Sequence, residues 1–138
     1  MTPQNRVELV DKVIRGYLLG LSTLTALMFF FVFTINWEDW FWGIKLDGLP
    51  AGIYLLVKGL IALFLVMLMI KYREKIELLT VLAILYFGYL LAPTTLYLSS
   101  PVFDMPRYLA QLTVVLVVPG ILLVAHWILH HNKKTATQ

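Results

Sequence analysis

There is no cysteine anywhere in this chain. That excludes disulfides, thiolate metal sites, iron–sulfur clusters and palmitoylation, and leaves the redox compartment unread. Charge is the second scarcity. Only 14% of the 138 residues are charged, against about 25% in an ordinary soluble domain. Histidine is rare too: His126, His130 and His131 are the whole complement. No paired acid and base, phosphate-binding glycine loop or nucleophile with a nearby histidine can be assembled. Ser22, Ser99 and Ser100 sit at depths that no histidine shares. The chain therefore reads as a non-enzyme, with no cofactor and no metal expected.

What is present is apolar sequence, 60% of the residues. Four uncharged or nearly uncharged runs stand out, at about 16–36, 50–70, 78–98 and 108–129. Each matches the roughly 20 residues that cross a bilayer core as a helix. The expectation is an all-α integral membrane protein, a single membrane domain over 1–138 built as an antiparallel four-transmembrane-helix bundle. Residues 1–15 lead in with an amphipathic stripe of Val7, Val10, Val13 and Ile14. The i,i+4 pairs Glu8/Lys12 and Asp11/Arg15 favour helix there. Residues 130–138 form a polar tail. The first run is too long for a signal-peptide core and has no small-residue cleavage site after it.

Lys and Arg counts orient the chain. Arg6, Lys12, Arg15, Lys71, Arg73, Lys75, Lys133 and Lys134 fall on one side, and Lys45 and Arg107 on the other. Both termini are expected in the cytoplasm, with the plasma (inner) membrane of a bacterium as the location. The same distribution accounts for the net charge of +3 without nucleic acid, so the expected partners are the lipid bilayer and other membrane subunits or further copies of the chain.

One residue breaks the apolar pattern. Lys58 lies 13 residues before Lys71, about 20 Å into a core about 30 Å thick. A lysine near the centre costs about 3 kcal/mol on the insertion scale, which the twelve Leu, Ile, Val and Phe residues from Ala51 to Ile70 offset at about 0.4 kcal/mol each. Insertion is feasible, yet the lysine still needs a partner, and no span supplies an acid. It can reach outward to Glu38, Asp39, Asp47 or Asp104, sit in a polar pocket, or pair with another subunit. Pro93 and Pro119 bear on the pocket, because each frees the carbonyl four residues earlier, at Tyr89 and Val115. A binding pocket of Lys58, Tyr54, Tyr89 and Thr94 in the outer half follows.

Three further features complete the reading. The loop after the first run holds Trp37, Trp40 and Trp42, expected to lie flat at the outer interface or to dock a partner. Gly16 and Gly20 match a small-residue packing motif for contacts within or between chains, and Gly88 and Ala92 repeat its spacing. His126 and His130 share one helix face and could make half a metal site, but Glu8, Glu74 and Glu77 are the only further ligands counted on that side. Interface anchoring is the plainer role for the histidines. The function expected is an accessory or structural subunit of a larger membrane complex. The alternatives are an oligomeric small-solute or anion channel or carrier using Lys58, and a quinone- or lipid-binding subunit.

Overall fold

The computed structural model describes residues 3–101 and 103–136, with side chains for 4–101 and 103–132. Residues 1–2 of the lead-in, residues 137–138 of the tail and the side chains of Lys133 and Lys134 lie outside the described residues. The chain runs α1 (Pro3–Ile35), β1 (Glu38–Phe41), β2 (Ile44–Asp47), α2 (Leu49–Lys71), α3 (Ile76–Leu91), a 3₁₀ segment (Ala92–Tyr97), α4 (Met105–Leu112), a π turn (Thr113–Val117) and α5 (Val118–Ala136). Helix makes up 82% of it. Four helical stretches are long and apolar enough to cross a membrane: Gln4–Ile35, Leu49–Lys71, Ile76–Tyr97 and Met105–Asn132. This is the build of a multi-pass membrane protein.

The helices bury narrow stripes. In α1 these are Val7, Ile14, Leu18, Ser22, Ala26 and Phe29; in α2 they are Ala51, Gly52, Leu55, Gly59, Ala62, Leu65 and Met69. The recurrent three- and four-residue steps put each set on one helix face. Leu24, Phe31, Leu60, Phe64, Leu85 and Ile121 point outward and are exposed. So much outward apolar surface suits lipid better than water. α1 packs most extensively on α2, then on α5, while α3 touches α1, α2 and α5. The amphipathic lead-in is continuous with the first long helix: Val7 and Ile14 are buried and Val10 packs on the core, whereas Val13 is half exposed.

The loop after α1 departs from the all-α expectation. It is an antiparallel hairpin with Glu38 opposite Asp47, Asp39 opposite Leu46, Trp40 opposite Lys45 and Phe41 opposite Ile44. Its two turn residues, Trp42 and Gly43, both have positive φ, 47° and 89°, the conformation whose twist suits a two-residue hairpin. The Gly48 N–H donates to the Trp37 carbonyl at 3.0 Å and closes its base. The hairpin does not stand free. Phe41 meets Tyr54 edge-on with centroids 5.5 Å apart, and Trp40 meets Tyr97 at 6.2 Å.

Both prolines reshape their helices. α3 gives way to the 3₁₀ segment at Ala92-Pro93. The π turn immediately precedes Pro119, and within it the Val114 carbonyl accepts a 2.5 Å hydrogen bond from the Tyr17 hydroxyl of α1. The π register moves the carbonyl facing Pro119 from the expected Val115 to Val114, and its partner is a tyrosine, not Lys58.

Candidate functional site

Lys58 lies nine residues into α2, about 13 Å from the start of the helix. Its long stem carries the ammonium toward the hairpin. There Nζ meets the Asp39 carboxylate at 2.5 Å. Both side chains are well shielded, 12% and 19% exposed. Nζ also lies 4.2 Å from the centre of the Tyr54 ring and 5.3 Å from that of Phe29. The aromatic faces add cation–π attraction where water is scarce. Asp39 is itself held, because its second oxygen accepts from the Trp40 backbone N–H at 2.7 Å. Of the three arrangements open to Lys58, the structure has the outward one, toward a loop carboxylate.

A tyrosine set surrounds this pair. The Tyr54 and Tyr89 hydroxyls are 3.0 Å apart, linking α2 to α3. The Tyr86 hydroxyl donates to the Lys58 carbonyl at 2.7 Å. Lys58, Tyr54 and Tyr89 are therefore brought together, with Asp39, Tyr86 and Phe29 added. Thr94 is placed elsewhere. It lines a cavity of about 400 Å³ with Tyr97, Phe103, Asp104, Arg107 and Tyr108. Beneath the hairpin Trp37 stacks on Phe33, centroids 5.6 Å apart, while Trp40 and Trp42 are about half exposed.

Among the described residues, the glycine motif of α1 makes no close contact. A Cβ at Gly16 or Gly20 would meet nothing within 4 Å. The tight glycines are in α2, where a Cβ at Gly52 would come within 3.2 Å of Trp37 and one at Gly59 within 3.2 Å of Phe30. Gly88 would contact Leu116 at an ordinary 3.8 Å. Close packing against α2 thus depends on Phe30 of α1 and on Trp37 just beyond it filling gaps left by glycines of α2.

At the end of the bundle that carries the termini, a second cluster forms. His126 is almost wholly buried, with its side chain 4% exposed. Its Nδ1 lies 2.5 Å from Asp11 Oδ1, and its Nε2 lies 3.1 Å from Glu77 Oε1. His130 stacks obliquely on it, ring centroids 4.2 Å apart. Glu8 and Lys12 form the i,i+4 pair the sequence suggests, at 2.8 Å. The Asp11/Arg15 pair does not form: Asp11 turns to His126, and Arg15 donates to the Arg73 carbonyl at 3.3 Å. Asp11 is thus the acid missing from the ligands counted for the histidines, and His126 is a buried link rather than a surface anchor.

The fold and its two clusters define a multi-pass, mostly helical membrane protein with one polar cluster near each end. No family model, no curated protein and no solved structure matches this chain, so the functional reading rests on its own residues.

Proposed function

We propose that this protein is a non-catalytic accessory subunit that packs against a larger membrane assembly, with its hairpin as the docking element and its termini in the cytoplasm of a bacterial cell. One observation carries this reading: the Lys58–Asp39 pair fastens the hairpin to α2, and Trp40, Phe41, Trp42 and Ile44 remain outside. Rigid aromatic side chains lose little entropy on burial, which suits them to anchor an interface. A pore of several copies lined by Lys58 is the weaker reading, because Asp39 already neutralises the ammonium. The second reading is a quinone- or lipid-binding subunit, favoured by the cavity that sets Arg107 among Tyr97, Phe103 and Tyr108.

Affinity purification of the full chain in mild detergent tests the proposal. The expected result is a stoichiometric membrane partner, retained with Tyr89→Phe and lost with the Phe41→Ala/Trp42→Ala double variant. Elution as a monomer or homo-oligomer without such a partner sinks it, and a co-purifying quinone or lipid in stoichiometric amount favours the second reading.

A further inference from the structure

We propose that Asp11, His126 and His130 form a binding site for one divalent transition-metal ion of the zinc type, with Glu77 as the carboxylate that orients His126. The argument starts from protons. A neutral imidazole has one N–H and one lone pair. The His126 ring faces carboxylate oxygens at both nitrogens, 2.5 Å at Nδ1 and 3.1 Å at Nε2. With a single ring proton, one nitrogen presents its lone pair to an anion, which is repulsive in so buried a place. A positive centre is needed at that nitrogen. A metal ion near Asp11 supplies it, leaving Nε2–H to donate to Glu77. Ligating histidines commonly donate their other N–H to a carboxylate in this way.

His130 supplies an independent observation. Its Nε2 is buried without a hydrogen-bond partner and faces the second oxygen of Asp11 at 3.9 Å. One ligand atom from each of Asp11, His126 and His130 lies within 4.8 Å of the others. Ligands around a tetrahedral ion at about 2.0–2.2 Å stand about 3.3 Å apart, so binding parts His126 Nδ1 and Asp11 Oδ1 from 2.5 Å and turns the half-exposed His130 ring inward. Two imidazoles and one carboxylate suit zinc and its first-row neighbours, while calcium and magnesium prefer all-oxygen shells. Three protein ligands leave a fourth position open. All three residues line a cavity of about 610 Å³, in which Arg15, Arg73 and Lys75 are interspersed with Glu74 and Glu77. A bound ion ties α1 to α5 directly and to α3 through Glu77.

The test uses the full chain without a histidine tag, purified in detergent, stripped by a chelator and titrated at neutral pH with Zn²⁺ by calorimetry and with Co²⁺ by visible absorption. About one equivalent binds, and Co²⁺ gives the intense bands of a four-coordinate site. Asp11→Asn and His126→Ala abolish saturable binding. Glu77→Gln weakens it about 10- to 100-fold, the usual effect of losing a carboxylate behind a ligand. His130→Gln alters the most exposed of the three ligands and so keeps the fold, yet it weakens binding at least 10-fold. Zn²⁺ raises the unfolding temperature of the parent chain but not of Asp11→Asn. Absence of saturable Zn²⁺ binding overturns the proposal, as does binding that His130→Gln and Asp11→Asn leave unchanged. A folded, metal-indifferent chain that gains stability only on acidification also overturns it, and identifies His126 as an imidazolium clamp.

Discussion

The two polar clusters of this bundle differ in how their charges meet. Near the hairpin, one ammonium meets one carboxylate inside a ring of aromatics, and every strong group has an opposite. Near the termini, one imidazole lies between two carboxylates, while the cations Arg15, Arg73 and Lys75 line the surrounding cavity. A cancelled pair serves to hold shape. The imidazole between two carboxylates is the place proposed for a metal ion. A charged residue inside a bundle is therefore informative mainly through what remains after its neighbours are summed.

The most direct way to break the comparison is at the cancelled pair. Lys58→Met leaves Asp39 shielded and alone, and a loss of about 3–5 kcal/mol is expected for breaking a buried pair from one side. The Lys58→Met/Asp39→Leu double variant restores most of that loss, since an apolar replacement of both partners is often neutral. Unfolding in mixed detergent micelles, followed by circular dichroism, measures both. If the single and double variants lose equally, the pair does not hold the hairpin.

Packing gives a smaller and opposite contrast between the halves. Gly59→Val pushes new methyls against the Phe30 ring, where even a Cβ already comes within 3.2 Å, and a loss of about 1–3 kcal/mol is expected from overpacking. Gly16→Ala enters open space and gains up to about 1 kcal/mol in helix propensity. The same unfolding assay reads both signs. A destabilised Gly16→Ala variant, with loss of self-association, points to a contact between copies at α1.

The smallest effect belongs to Lys45 in the hairpin. Its hydrogen bond to Asp47, with the charges of Asp47 and Glu38, holds its pKa above the ordinary 10.5. A raised folded value means that the stabilisation is complete below that ordinary value and is lost as pH rises through the folded one. The exposed site makes the contribution slight. Tryptophan emission should shift in that alkaline window for the parent chain, and the shift should begin at lower pH in Asp47→Asn.

The four long helices were legible because apolar runs of this length have few other uses. The anomaly of Lys58 was legible for the same reason, and Asp39 stood among its candidate partners. Selecting Asp39 required the hairpin, which was not legible. Trp42-Gly43 is not one of the common turn pairs, and tryptophan seldom takes positive φ. Thr94 was grouped with Lys58 by depth alone, which says nothing of facing, and it lines the cavity beside Tyr97 and Arg107. Asp11 was missed because local spacing offered Arg15 as its partner, while the nearer histidine comes 115 positions later.

That separation has a consequence for how the chain is made. Lys58 and Asp39 are 19 positions apart, so both are present once α2 has been synthesised. Closing so short a segment costs little entropy. Asp11 must wait until His126 is synthesised, 115 positions later. The first contact precedes the second in synthesis, so a nascent chain arrested between α3 and α5 would carry Lys58 with its aspartate and Asp11 without its histidines.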